Sequence, residues 1–332
     1  MTRDVAFGTA LPAISLARIA VVVPCYKVRD RVHAVLRKMP PEVERIYVVD
    51  DACPDASGKF VSESEQDKRI VVITHSANKG VGGAVVSGYL AALSDGMDIV
   101  VKIDGDGQMD PALLSHFVRP IVEGRADYTK GNRFFELDSL QSMPKIRLLG
   151  NALLSLINKL ASGYWDVVDP TNGYTAIHAK VLARIPLDKL ANRYFFESDM
   201  LFRLGTLRAA VLDIPMDAHY DGEKSNLRIG QVLIDFPGKY LNRFFKRIFY
   251  NYFLRDFNAG TVQLVFGMTL LMFGSAWGIA HWIASASLGI AATAGTVMLA
   301  AIPILLGGQL LIASLNFDIA NAPKRCLHSM LE

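Results

Sequence analysis

The sequence predicts an α/β domain built on a parallel sheet, continuing into an amphipathic helix and a pair of membrane-spanning helices. Three observations carry this. Residues 18 to about 130 alternate short apolar runs with helical patterns, the order that gives a parallel sheet covered on both faces. The runs end in polar clusters, at Pro24 to Tyr26, at Asp50 and Asp51, and at Asp104 to Gln108, where such sheets bind ligands. From Asn258 to Phe317 there is no Asp, Glu, Lys or Arg, and His281 is the only ionisable side chain. The predicted organisation is an extension over 1–17, the α/β domain over 18–236, a juxtamembrane amphipathic helix over 237–258, two transmembrane helices within 259–317, and a cytoplasmic tail over 318–332.

The first 17 residues mix Arg3, Asp4 and Pro12 with short apolar pieces, unlike the basic start and long apolar region of a signal peptide. Arg18 to Val23 is a continuous apolar strand ended by Pro24, and a helical pattern runs from Asp30 to Met39. Arg45 to Val49 is a second buried strand and Ile70 to Thr74 a third. Gly80 to Leu93 reads as a helix, and Ile99 to Ile103 as the strand leading into the acidic turn. Lys130 to Arg133 ends a further strand, after which Met143 to Asn151 opens an apolar helix.

A membrane helix needs about 20 apolar residues, so the uncharged stretch fits two spans. They are placed at Thr261–Ile283 and Leu288–Leu315, with Ala284–Ser287 as the turn. The alternative, two buried helices of a soluble bundle, rarely lacks charge for so long. Lys239, Arg243, Lys246, Arg247 and Arg255 precede the first span, and Lys324 and Arg325 come after the second. Both flanks therefore favour the cytoplasmic side, which puts the α/β domain in the cytoplasm, with a bacterial inner membrane expected. In the segment Gly238–Asp256, Leu241, Phe244, Phe245, Ile248, Tyr252 and Phe253 recur at helical spacing, with Arg243, Lys246 and Arg247 largely opposite. That suits a helix lying in the headgroup layer. Gly267, Gly274, Gly278, Gly307 and Gly308 would let helices pack closely, within one hairpin or in a homo-oligomer.

Composition narrows the function. A net charge of +3, with no basic, aromatic-interleaved module, argues against a nucleic-acid binder. Cys25, Cys53 and Cys326 are odd in number and far apart, so a reduced setting fits better than a disulfide framework. The strongest local signal is Asp104, Asp106 and Gln108, separated by Gly105 and Gly107. Alternation along an extended chain would turn all three to one side, giving hard oxygen ligands for Mg²⁺ or Mn²⁺ with phosphates completing the shell. A polar turn closing a strand uses the same residue types.

Val22 to Tyr26, Val48 to Asp51, Asn78 to Gly83 and Asp104 to Gln108 together resemble family 2 glycosyltransferases, in order and in spacing. The resemblance covers about residues 18–235 and implies the GT-A fold, which binds nucleotide-diphosphosugars. The residues beyond Gln108 look like the polyprenyl-phosphate branch, typified by dolichyl-phosphate mannose synthases. On that resemblance Pro24, Tyr26, Asp50 and Asp51 line the nucleoside pocket, and Asn78, Lys79 and Gly80 pass close to the donor. Asp104, Asp106 and Gln108 hold the metal. Lys27 and Val28 depart from the Asn-Glu frequent in the family, which leaves UDP against GDP open.

The same resemblance gives the acceptor phosphate to Arg133 and Arg147, with Asn151 one turn later where the family has a small hydroxyl residue. Asp169, Glu197 and Asp199 become candidate sugar contacts. Lys224 and Arg228 would reach the donor diphosphate. The implied reaction is inverting transfer of a sugar from a UDP- or GDP-sugar to undecaprenyl or dolichyl phosphate. One alternative is addition of sugars to a polysaccharide or lipid-linked oligosaccharide. Processive synthases of this fold, however, usually carry a Gln-x-x-Arg-Trp motif, and Trp165, Trp277 and Trp282 lie in other contexts. Another is a non-catalytic membrane scaffold, which would have no need of the acidic triad.

Overall fold

A computed structural model describes residues 17–135, 145–216 and 229–331; the side chains of 145–147 and 229–234 fall outside that description. The chain divides into two compact units, one of Met1–Arg243 with Pro323–Glu332, the other of Phe244–Ala322.

Seven strands form the sheet of the first unit: β1 Ile19–Cys25, β2 Val43–Asp50, β3 Ile70–Thr74, β4 Ile99–Lys102, β5 Tyr128–Asn132, β6 Thr175–His178 and β7 Val211–Pro215. Their order is β3-β2-β1-β4-β6-β5-β7. The β3-β2-β1-β4 half is parallel, as the alternation of signals predicts. The sheet as a whole is mixed, because β6 runs antiparallel to both β4 and β5. β6 has only four residues and begins inside the polar Asp169 to Ala176 segment, so no strand signal marks it.

Alternation in β1 sends Val21 and Val23 into one apolar layer and Ala20 and Val22 into the other. Helices α1 (Arg29–Arg37) and α4 (Leu114–Val122) cover the first face. Helices α3 (Val81–Ser94) and α7 (Phe196–Leu207) cover the second. The remaining helices of this unit are α2 (Ser57–Ser64), α5 (Lys145–Ser162), the one-turn α6 (Ala179–Leu182) and most of α8 (Ile229–Ile248).

The C-terminal residues are bound into this unit, where the sequence suggests a tail. Asp127, fully buried at the start of β5, accepts two bonds on each oxygen. One oxygen takes the amides of Ala210 and Leu327 at 2.7 Å each, the other the amide of His328 at 2.8 Å and its ring Nδ1 at 2.6 Å. Cys326 donates to the Gly124 carbonyl at 2.9 Å. Asp127, Cys326 and His328 lie close enough to share a cation, but these bonds already occupy the carboxylate. Asp127→Ala should therefore lower the unfolding midpoint, since each buried amide left without an acceptor costs about 1–3 kcal/mol. It should also speed carboxypeptidase removal of the last residues, read by mass spectrometry.

In the second unit, α9 (Ala259–Leu288) and α10 (Ala294–Ala320) are both long and apolar enough to cross a membrane. Their apolar side chains point outward, Trp282 being 75% and Leu305 69% exposed, where the helices of a soluble bundle would bury them. The turn differs from expectation. Ala284–Ser287 continues α9, which ends at Gly289 in the left-handed region (φ 64), a glycine C-cap. Gly307 lies where a Cβ would come within 2.7 Å of the Leu271 amide, and Gly267 and Gly274 likewise face the partner helix. These three glycines pack the hairpin itself; a Cβ at Gly308 would meet open space.

The juxtamembrane helix begins before residue 237 and ends in a π-helical turn, Phe249–Leu254. Two of its four basic residues between 237 and 248 hold acids. Arg243 Nε donates to Asp199 at 2.7 Å, and Arg247 makes a two-pronged pair with Asp318 at 2.7 and 3.1 Å. Leu241 and Phe245 stay exposed, as an interfacial helix requires, whereas Tyr252 is buried and donates to Asp318.

Candidate active site

The polar clusters assemble at the carboxyl ends of β1, β2 and β4, with β5 ending at the same edge. Asp50 and Asp51 are both buried there. Asp50 accepts from the amides of Cys53 (2.7 Å) and Gly58 (2.6 Å), closing the turn into α2. Asp51 accepts from the amides of Lys79 (2.8 Å) and Gly80 (2.7 Å), while Asn78 donates to the Asp51 carbonyl at 3.1 Å. Gly80 has φ 86, so glycine suits the residue that turns its amide toward the carboxylate. His75 lies behind, 2.7 Å from Asp51 through Nδ1 and 2.8 Å from Ser87 Oγ through Nε2. The acidic pair thus shapes the two loops that the sequence places around a nucleoside. Tyr26 stands half exposed at the end of β1, with the Lys27 ammonium 5.6 Å over its ring. Lys27 and Ala52, on the loops after β1 and β2, both have positive φ (59 and 52), a strain that concentrates at binding sites.

Asp104 to Gln108 form a tight turn instead of an extended run, with Gly107 at φ 81. Asp106 accepts from the Gln108 amide at 3.0 Å. Burial, then the nearby Asp104, push the Asp106 carboxyl above the usual range. Two acids brought together at a partly buried turn that also carries Gln108 offer oxygens that a hard divalent cation would satisfy.

The sequence reading missed the groups beneath them. Lys102, 1% exposed, sets its ammonium 2.7 Å from Asp104, 3.3 Å from Glu197 and 3.1 Å from the Gly173 carbonyl. Lys130, fully buried, donates to the Asn172 carbonyl. A lysine closing an otherwise apolar strand is the signal that could have found Lys102; Lys130 sits in the polar strand Tyr-Thr-Lys-Gly-Asn, which carries no such signal. Gly173 permits the close approach: a Cβ there would collide with Asp104 Oδ2 and lie 2.6 Å from Lys102 Nζ.

Arg133 leaves β5 toward Asp169, to which Nε donates at 2.7 Å and Nη2 at 3.0 Å; Thr171 Oγ1 lies at 3.3 Å. Burial would raise the Asp169 carboxyl, but the Arg133 guanidinium, with Lys130 nearby, outweighs it and holds the group low. Asp169 is wholly buried, and this fork fixes the plane of Arg133. Asp199 is also wholly buried, bound to Arg243, Arg203 and the Ala191 amide. Glu197 remains at the edge of the site, in the first turn of α7. Arg147 and Asn151 are both carried on α5, with the Arg147 side chain outside the description. Lys224 and Arg228 lie outside the described residues.

Lys130 makes the site sensitive to pH. Burial, opposed by Glu197 and Asp169, pushes its pKa from 10.5 down to about 8. Between those values the unfolded chain binds more protons than the native one, so stability rises with pH across this window. Lys130→Met should abolish that rise, worth about 3 kcal/mol, in unfolding curves measured at pH 7.5 and 10.5.

Residues 20–185, half of the chain, match the sequence profile of glycosyl transferase family 2. The chain belongs to that family, and it is a glycosyltransferase. It is 28% identical over 232 residues to a UDP-N-acetylglucosamine–dolichyl-phosphate N-acetylglucosaminyltransferase of Methanococcus voltae, covering 66% of this chain and 92% of the relative. It is also 28% identical over 203 residues to an undecaprenyl-phosphate mannosyltransferase of Micrococcus luteus, covering 60% and 82%. Among solved structures, the glucosyl-3-phosphoglycerate synthase of Mycobacterium tuberculosis, in complex with Mg²⁺ and uridine diphosphate, matches with a TM-score of 0.53. That match has 17% identity over 72% of this chain and 84% of the synthase, and establishes the GT-A fold.

Proposed function

We propose that this glycosyltransferase moves a sugar from a nucleotide-diphosphosugar to the phosphate of a polyprenyl phosphate, by a single displacement with inversion. One observation carries the choice of a lipid acceptor. α5, the helix with Arg147 and Asn151, exposes Leu148, Leu149, Leu153 and Leu156 to solvent, with Leu149 at 71%. A soluble acceptor gives no reason for that leucine face beside a phosphate-binding arginine; a prenyl chain or bilayer does. The relatives named for dolichyl and undecaprenyl phosphate support the same reading, as do the two apolar helices.

On this reading Tyr26 packs against the nucleobase, and the loops held by Asp50 and Asp51 enclose the ribose. Asp104, Asp106 and Gln108 would hold Mg²⁺ or Mn²⁺, which neutralises charge on the diphosphate as the sugar departs. The metal-bound, UDP-bound synthase of the same fold supports a divalent cation here. Lys224 and Arg228 add positive charge to the leaving diphosphate, and Glu197 orients the sugar. Arg133, held flat by Asp169, and Arg147 grip the acceptor phosphate with an oxygen in line behind the anomeric carbon. A phosphate monoester has a second pKa of about 6 and is largely dianionic at neutral pH, so no protein base is required. The basic flanks of the hairpin support a cytoplasmic side for the catalytic unit.

The acceptor claim is tested by offering polyprenol in place of polyprenyl phosphate. The alcohol must lose a proton, and this reading assigns no residue to take it, so no transfer is expected. Glycosylation of the free alcohol would overturn this reading.

A further inference from the structure

Four residues form a single row across four strands, on one face of the sheet. Lys102 on β4 lies opposite Thr175 on β6, Thr175 opposite Lys130 on β5, and Lys130 opposite Asp213 on β7. Lys102, Thr175 and Lys130 are each at most 1% exposed. Directly opposed residues share a face, so the two lysines lie in one buried row, their Cα atoms about 10 Å apart by strand spacing. Burying like charges in an apolar sheet is costly, and the packing of the layer does not call for it. Both lysines hold the same turn, Lys130 at the Asn172 carbonyl and Lys102 at the Gly173 carbonyl. The same ammonium donates to Glu197 Oε1 at 3.3 Å and lies at ion-pair distance, 2.7 Å, from Asp104 Oδ1. Three oxygens from three separate segments thus surround one buried ammonium.

We infer that Lys102 is a positioning residue, which ties Asp104 and Glu197 together so that the metal-binding turn and the sugar-facing carboxylate are set as one unit. The inference rests on the proposed cation and donor. Asp104 comes from the loop after β4 and Glu197 from the start of α7, elements joined by long stretches of chain. Without the ammonium, Asp104, Asp106 and Glu197 would repel one another, and Asp104 would swing away from the geometry that a cation needs. A role in charge balance alone would be met by any cation at position 102. Positioning demands more, because the planar guanidinium of arginine cannot meet three acceptors arranged around a tetrahedral ammonium.

The test uses the full chain in detergent, with Mn²⁺ binding monitored by electron paramagnetic resonance in the presence of UDP or of GDP. Wild type, Lys102→Arg, Lys102→Met, Glu197→Gln and the Lys102→Met/Glu197→Gln double variant are compared, with circular dichroism melts alongside. The arginine variant conserves charge and decides the question if the methionine variant does not fold. Both Lys102 variants are expected to bind Mn²⁺ at least tenfold more weakly than wild type, and Glu197→Gln to add little in the double variant. Wild-type affinity in Lys102→Arg overturns positioning and leaves charge balance alone; wild-type affinity in Lys102→Met overturns both. A wild-type protein that retains Mn²⁺ with neither nucleotide contradicts the donor reading itself, and this inference with it.

Discussion

Replacing Asp106 with alanine should lower sugar transfer by about 10³-fold and leave the unfolding midpoint unchanged or slightly higher. The two effects have one cause. Asp106 is partly buried beside Asp104 and accepts a bond from the Gln108 amide. Burial and the neighbouring acid raise its carboxyl pKa, so at neutral pH the ionised form destabilises the native state. Alanine relieves that repulsion and removes a ligand from the turn. Parallel measurements of initial rate and thermal midpoint separate this outcome from general damage. A variant that loses activity and stability together would mark Asp106 as structural.

Gly173→Ala should cost about 1–3 kcal/mol of stability and roughly 10²-fold in rate, since small misplacements of reacting groups carry penalties of that size. The added Cβ would collide with Asp104, lie 2.6 Å from Lys102 Nζ and come within 2.9 Å of Met109 Cε. The two charged partners must therefore separate, or the turn must move. Gly150→Ala is the matching control. It lies on α5 with nothing within 4 Å of the added methyl, and should be neutral or stabilising by up to about 1 kcal/mol. Equal activity of the two variants would remove Gly173 from the account.

Much of this was legible in the chain, because its signals are local. β1 to β4 appear within one or two residues of the apolar runs that predict them, and the acidic clusters sit at their carboxyl ends. What escaped reading depends on distant partners. β6 is four residues long and takes its place only by pairing with β4 and β5. Lys102 reads as one polar residue in an apolar strand until Glu197 and the Gly173 carbonyl are brought to it. Asp127 shows nothing in the sequence of the bonds it makes to Leu327 and His328. The hairpin turn was misplaced for a simpler reason: Ala284 to Ser287 has no breaker, and the glycine that stops the helix comes at Gly289. A local signal was present there and lost to an assumed span length.

The central claim is that this chain makes a polyprenyl-phosphate-linked sugar. Detergent-purified protein should be incubated with Mg²⁺ or Mn²⁺, undecaprenyl or dolichyl phosphate, and a panel of UDP- and GDP-sugars, and the lipids analysed by mass spectrometry. The expected result is a lipid phosphate heavier by one glycosyl unit with one donor of the panel, absent with Asp106→Ala. Donor binding or hydrolysis without a glycosylated lipid phosphate from any polyprenyl phosphate would contradict the acceptor assignment and favour transfer to a growing glycan.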